Sequence, residues 1–324
     1  MDTIRLGTIG TGFIVHEILN AAEQTEGISL AAVYSRSYEK GKNLADQYGA
    51  CRVYTELDAF LADETVNVVY IASPNSVHYE QTKRALLAGK HVLCEKPFCE
   101  KVEQALELEA IAKEKRLFLL ETVPTTFLPN YQVLKQLLPR IGRIRLVMAN
   151  YSQYSSRYDK LLRGEVTNVF DPAFGGGCLM DINYYNIYLN AALFHIPEQS
   201  VYYPNLFPDP KIDTSGVAVL RYADFISENA AAKDTWGENY FQIEGEKGHI
   251  YVTGGSNGLL SVRIATADGE EEWNLQTHTN RWLYEVQEVT KLLLSEDHEA
   301  ASERFRITLR TVRILEKLRR SMQI

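Results

Sequence analysis

Over its first 122 residues the chain alternates short apolar runs with longer amphipathic stretches. Runs at 4–9, 30–34, 66–72, 91–94 and 117–120 carry few polar residues and many Val, Ile and Leu, the pattern of strands covered on both faces. The stretches at 77–88 and 102–115 repeat apolar positions at three and four, and the first stops at Gly89, a residue suited to a helix C-cap. Strand–helix alternation of this kind predicts a doubly wound parallel sheet with right-handed crossovers. Beyond residue 122 the pattern changes. A helix at 131–138 precedes a long strand at 144–154, and runs at 217–222, 240–243, 250–253, 259–265 and 272–275 follow, several separated by glycine turns. These predict an α+β domain with a large, open, mainly antiparallel sheet, closed by helices at 281–294 and 302–320. The boundary expectation is one domain over 1–122 and a second over 123–324.

The length agrees with two cores, since 324 residues exceed what one usually supports. A net charge of −8, with 34 dispersed basic residues against 42 acidic ones, argues against nucleic acid or an anionic membrane as the main partner. No apolar run reaches the length of a membrane span and no signal-peptide pattern precedes the first strand, so the cytoplasm is the expected compartment. Cys51, Cys94, Cys99 and Cys178 show no paired framework and read as reduced core residues. None of the seven histidines belongs to a metal-ligand spacing, so no metal is expected.

Candidate chemistry begins where the first strand runs into Gly10-Thr11-Gly12-Phe13-Ile14. Gly10 permits a tight turn and Gly12 lets backbone approach a pyrophosphate at the next helix N-terminus, the arrangement of a dinucleotide-binding Rossmann domain. Val15 stands where the third glycine of that fingerprint would be. The second strand ends in Ser35-Arg36-Ser37, without the carboxylate that binds a free ribose 2′-hydroxyl. A hydroxyl and a guanidinium suit a 2′-phosphate, which points to NADP(H), with NAD(H) left possible. Ser73-Pro74-Asn75 and His78 follow the strand at 66–72 and would face ribose and pyrophosphate, although His78 reads equally well as a plain helix residue. The strand at 91–94 ends in Glu95-Lys96-Pro97. Carboxyl ends of parallel strands are where ligands bind, and proline restricts the backbone that carries the Lys96 ammonium. For Glu95 a salt bridge to an arginine is the preferred reading.

In the second half, Gly175-Gly176-Gly177 opens a helix read as continuous to about residue 194. Asp181 and Tyr185, four apart, would then share one face of it. Tyr184 and Tyr188 read as packing residues. Tyr154, Arg157, Tyr158 and Asn168 are candidates for the lining of a substrate pocket.

Together, Gly10-x-Gly12, Ala72-Ser73-Pro74-Asn75, Glu95-Lys96-Pro97 and Gly175-Gly176-Gly177-x-x-x-Asp181-x-x-x-Tyr185 resemble the glucose–fructose oxidoreductase / inositol dehydrogenase / MocA family over nearly the whole chain. Tyrosine at 185 places the resemblance in the branch similar to dimeric dihydrodiol dehydrogenase, where most members of the wider family carry histidine. The resemblance implies an NAD(P)-dependent dehydrogenase acting on CH–OH groups of a sugar, polyol or related diol. It implies Lys96 and Tyr185 as the catalytic pair, with Asp181 orienting the substrate, and Glu95 and Lys96 among the residues near the cofactor. A free phenol is a poor base near neutrality, and a nearby ammonium favours its phenolate. Asn183, Thr126 and Tyr188 depart from the family pattern and leave the substrate open. Two alternatives stand beside the dehydrogenase: a nucleotide-binding sensor without catalysis, and an enzyme that recycles a retained NAD. The open sheet predicts a homodimer or homotetramer, since its second face also needs cover.

Overall fold

The computed structural model describes residues 1–322. They form two compact units: Met1–Val123 with Asn280–Leu309, and Pro124–Thr279 with the chain from Arg310 onward.

The first unit winds β1 (Ile4–Ile9), α1 (Phe13–Ala22), β2 (Ile28–Tyr34), α2 (Tyr38–Tyr48), β3 (Arg52–Tyr54), α3 (Leu57–Leu61), β4 (Val68–Ile71), α4 (His78–Leu87), β5 (His91–Glu95), α5 (Val102–Lys115) and β6 (Leu119–Thr122). The sheet is parallel throughout, in the order β3-β2-β1-β4-β5-β6. Every residue of β4 and β6 is buried, including Glu121 and Thr122 of β6, and β4 reads as an unbroken apolar run. The edge strand β3 is short, and its Arg52 and Tyr54 kept it out of the apolar pattern. Strand order reverses direction between β1 and β4, the switch point at which such sheets bind ligands.

The second unit contains α6 (Pro129–Leu137), β7 (Ile144–Ser152), α7 (Ser156–Leu162), α8 (Cys178–Asp181), α9 (Asn183–Phe194), β8 (Gln199–Phe207), β9 (Ile212–Arg221), β10 (Ile226–Ala232), β11 (Tyr240–Gly245), β12 (Gly248–Thr253), α10 (Gly255–Gly258), β13 (Ser261–Thr266) and β14 (Gly269–Trp273). Its eight strands run β14-β13-β12-β11-β7-β10-β9-β8. All neighbours are antiparallel except β7 and β10, which run parallel with Ser152 opposite Ala232. That pair therefore sends both of its carboxyl ends to one edge of the sheet. Helices α6, α8 and α9 pack on one face. On the other, alternate positions stay exposed or half-exposed, with Val201 and Tyr203 of β8 and Ile226 of β10 the larger apolar ones.

The chain ends with α11 (Trp282–Leu294) and α12 (His298–Ser321). Residues 280–309 cluster with the first unit, not with the second as the contiguous 123–324 boundary had it. The reason is the apolar stripe Leu283, Val286, Val289 and Leu293 on α11, which packs on α1 and β1. Each such side chain contributes on the order of 1.5–3 kcal/mol when fully buried. Three further expectations are corrected. The helix read as continuous from the glycines is broken at Ile182, between α8 and α9. The strand expected from 259 starts at Ser261, because Leu259 takes a left-handed conformation (φ 43°) at the end of α10. Cys51 is exposed, while the other three cysteines are buried. Among the described residues no helix is long and apolar enough to cross a membrane.

Candidate active site

Four loops leave the carboxyl ends of the first unit's strands. Between β1 and α1, Gly10 holds φ 116°, and a Cβ there would lie 2.6 Å from the Ala72 carbonyl oxygen, so no side chain fits. Thr11 is half-buried, Gly12 is exposed, and a Cβ on Gly12 would meet nothing within 4 Å. Gly12 is the N-cap of α1 and offers no capping side chain, so the amides at Phe13 and Ile14 open the helix beside that free space. This is the geometry in which a helix N-terminus receives a phosphate. At the end of β2, Ser35 is buried and its Oγ accepts from the Ser37 amide (3.3 Å), while Arg36 is exposed. No carboxylate occupies 35–37. The residues present therefore fit a dinucleotide with a 2′-phosphate.

After β4, Ser73 donates to Gln81 (2.6 Å), Pro74 caps a short 3-10 turn and Asn75 begins it, half-buried. His78 is 1% exposed, with Nδ1 2.9 Å from the Pro97 carbonyl and Nε2 2.8 Å from the Ser73 carbonyl. A neutral ring donates to only one of these. Burial lowers the His78 pKa, the two carbonyls opposing it. The ring thus ties the loop after β4 to the loop after β5.

Lys96 leaves β5 half-buried, above a layer of polar residues. Glu95 Oε1 accepts from the Tyr70 hydroxyl (2.7 Å) and the Thr122 hydroxyl (2.9 Å), and Oε2 accepts from the Lys96 amide (3.2 Å). These partners replace the arginine expected for Glu95. Burial raises the Glu95 pKa, and the Tyr70 bond and Lys96 charge oppose it. Glu285 of α11 lies nearby at 1% exposure, and neither carboxyl oxygen has a hydrogen-bond partner. Burial, then Glu95, drives its pKa well up; the Val123 backbone amide and the Arg304 and Arg281 charges oppose only in part. A cavity of about 20 Å³ adjoins it, lined in part by Tyr70, Thr122 and Val286, roughly the space of one water. Burial beside a second acid thus favours the neutral form of Glu285. Nothing in its helical stripe Leu-Tyr-Glu-Val marked this.

In the second unit, Gly177 (φ 108°) precedes α8, and a Cβ on it would sit 2.1 Å from Asp213 Oδ1. Asp213 is 4% exposed and its Oδ2 accepts from the Leu179 amide (2.7 Å) and the Tyr202 hydroxyl (2.8 Å). Burial raises its pKa, with those donors and Lys233 opposing. Asp181 ends α8 and forms an ion pair with Lys233. Tyr185 lies in the first turn of α9, 8% exposed, edge-on to Tyr151 at 5.8 Å. Its helix is anchored by Asn183, Asn186 and Asn190, all fully buried. Asn183 and Asn186 donate to the Asn229 and Ala230 carbonyls (both 3.0 Å), and Asn190 donates to the Asn229 side chain (2.7 Å). These spacings of three and four were a readable signal for a polar helix face. Asn183, which departs from the family pattern, belongs to this anchor, and Tyr188 contacts Thr126 (3.3 Å).

Of the pocket candidates, Tyr158 packs against Phe170 and Phe207 in an apolar cluster, Arg157 is exposed, and Asn168 opens a 3-10 turn. Tyr154 stacks on Trp236 (5.8 Å, 12°) and donates to Asp159 (2.7 Å). Among the described residues no group of three His, Cys, Asp or Glu is placed to hold a metal ion.

Comparison with known proteins agrees with this geometry. The model of the GFO/IDH/MocA oxidoreductases, an oxidoreductase family with an NAD-binding Rossmann fold, matches residues 4–122, and that of the GFO/IDH/MocA C-terminal domain matches 131–251. The scyllo-inositol 2-dehydrogenase (NADP(+)) IolU of Bacillus subtilis is 35% identical over 322 residues, covering 99% of this chain and 98% of its own. A trans-1,2-dihydrobenzene-1,2-diol dehydrogenase of Xenopus tropicalis is 26% identical over 67% of this chain and 63% of its own. In fold, the chain is similar to KijD10, a 3-ketoreductase from Actinomadura kijaniata solved with NADP and TDP-benzene, at a TM-score of 0.87 and 24% identity over 99% of this chain and 98% of that one.

Proposed function

This chain belongs to the GFO/IDH/MocA oxidoreductase family, and from that premise we propose that it transfers a hydride between NADP(H) and a secondary alcohol or carbonyl of a sugar, cyclic polyol or dihydrodiol-like substrate. The observation that carries the cofactor reading is the end of β2, where Ser35 and Arg36 stand in place of a carboxylate, beside the uncapped N-terminus of α1 and the free space at Gly12. The 2′-phosphate would be held by Arg36 and the Ser35 hydroxyl, and the pyrophosphate by the amides that open α1. When bound, the nicotinamide supplies the hydride chemistry. In the second unit, Tyr185 moves the proton on the substrate oxygen and Asp181 accepts a hydrogen bond from a neighbouring hydroxyl; in the first unit, Lys96 supplies a positive charge at the carboxyl end of β5. The polyol class is supported by the relatives named above.

The cofactor reading is tested by titrating NADPH and NADH against the nicotinamide fluorescence of wild type and Arg36→Ala. NADPH affinity should fall roughly tenfold or more in the variant and NADH affinity little. Equal losses would remove Arg36 from the 2′-phosphate. The half-exposed sheet face with Val201, Tyr203 and Ile226 supports self-association as a dimer or tetramer. Sedimentation equilibrium should return two or four times the chain mass, and a monomer at micromolar concentration would contradict this.

A further inference from the structure

Lys233 follows β10 directly and is laced on both sides by backbone: its amide donates to the Thr214 carbonyl (2.8 Å) and its carbonyl accepts from the Ser155 amide (2.9 Å). Its side chain is only 5% exposed. A lysine so far from water is costly unless an anion meets it. The titratable groups that face it are Asp181 and Cys178 from α8, Asp213 from β9 and the adjacent Asp234. Burial raises the Cys178 thiol well above its usual range, which leaves it neutral. Asp213 is bonded to an amide and a phenol, and Asp234 to the Thr214 hydroxyl (2.6 Å) and the Ser215 hydroxyl (3.1 Å). The Lys233 ammonium makes its ion pair with Asp181 Oδ2, and the Phe170 ring lies on it at 5.4 Å from the centroid.

The two members of the pair differ in access. The Asp181 side chain is 25% exposed, five times the fraction of Lys233. A ligand can therefore reach the carboxylate and not the cation behind it. From this geometry we infer that Lys233 is the positioning residue of Asp181, fixing the direction of its carboxylate and keeping it ionised so that it meets a substrate hydroxyl as an acceptor. The inference rests on the oxidoreductase reading and assigns to it a residue outside every motif of the sequence. The substrate class it fits carries a hydroxyl donor beside the reacting carbon, as a vicinal diol does. Lys233 acts only through Asp181.

The test is a double-mutant cycle of Lys233→Met and Asp181→Asn, with Lys233→Arg as the conservative variant. It is read both in urea stability of the free protein and in kcat and KM for a polyol with NADP+. Lys233→Met should lower kcat/KM by at least about tenfold, with a coupling of similar size to Asp181→Asn, so that the double variant is little worse than either single one. The acid limb of the pH–kcat/KM profile should move to higher pH in Lys233→Met, because a carboxylate without its cation takes up a proton more readily. Lys233→Arg should recover part of the rate and restore the limb. If Lys233→Met does not fold, the Lys233→Arg profile and the Asp181→Asn background still decide, since removing the acid should rescue folding of Lys233→Met. Additive losses in both readouts would overturn the pair. Coupling in stability with unchanged kcat, KM and pH profile would overturn the positioning role and leave the oxidoreductase reading standing. Coupling in stability with no turnover in wild type on any polyol would overturn the oxidoreductase reading, and this use of the pair with it.

Discussion

The floor beneath Lys96 and the floor beneath Asp181 both contain buried acids, and they handle the charge in opposite ways. Under Lys96, Glu95 is met by two hydroxyls and an amide, while burial and the neighbouring Glu95 favour the protonated form of Glu285. Under Asp181, a buried lysine neutralises the exposed acid, and Asp213 and Asp234 take amide and hydroxyl donors. Two carboxyl groups cannot both ionise cheaply in a small dry volume unless a cation or several donors compensate. In the first unit burial outweighs the Val123 amide and the arginine charges that oppose it, which favours the neutral form of Glu285. The second has Lys233, which pairs with Asp181 and whose charge opposes the burial that raises the Asp213 pKa. Parallel β7 and β10 help, by delivering Lys233 and the chain around Tyr154 to one sheet edge.

The contrast makes unequal demands on isosteric substitution. The larger effect is expected in the second unit. Asp213→Asn keeps the shape but sets an amide group against the Leu179 N–H and the Tyr202 hydroxyl, and should cost about 2–3 kcal/mol of stability in urea at neutral pH. A loss below roughly 1 kcal/mol would mean that the Asp213 anion is not what those donors require. The smaller effect is expected at Glu285. Glu285→Gln copies a protonated acid and should change stability by less than about 1 kcal/mol at pH 5. The folded-state pKa of Glu285 lies above its unfolded value, so its contribution is complete below the ordinary glutamate range and is lost as pH rises through the folded value. The variant has no proton to lose, so the fall in stability with rising pH should flatten. An unchanged slope would show Glu285 to be ionised and would erase the contrast.

What was legible in the sequence follows the range of the forces involved. Gly10, Gly12 and Lys96 stand at strand ends where backbone geometry is local, and the apolar runs of β1, β4 and β5 mark those ends directly. Strands β8 and β10 were missed. In β10 the residues facing inward include Ser227 and Asn229, both fully buried, so the buried face is polar and the alternation that signals a strand is masked. Asn229 receives Asn183 and Asn190 of α9, a long-range match that no window along the chain displays. Lys233 was lost with the strand it follows. The break at Ile182 was hidden because the spacing of Asp181 and Tyr185 also fits an unbroken helix. The return of α11 to the first unit is topological. Its stripe announces a buried helix face but not which sheet covers it.

The NADP-dependent dehydrogenase chemistry proposed above runs its proton transfer through Tyr185. The most direct measurement is the initial rate of NADPH formation by wild type and Tyr185→Phe on a cyclic polyol, an aldopentose and a trans-dihydrodiol, with NADPH affinity measured in parallel. Wild type should turn over at least one of them, and Tyr185→Phe should be slower by roughly 10²- to 10⁴-fold with NADPH affinity within about threefold of wild type. Equal rates in the two proteins would contradict the role of Tyr185, and no turnover by wild type with either NADP+ or NAD+ would contradict the dehydrogenase reading.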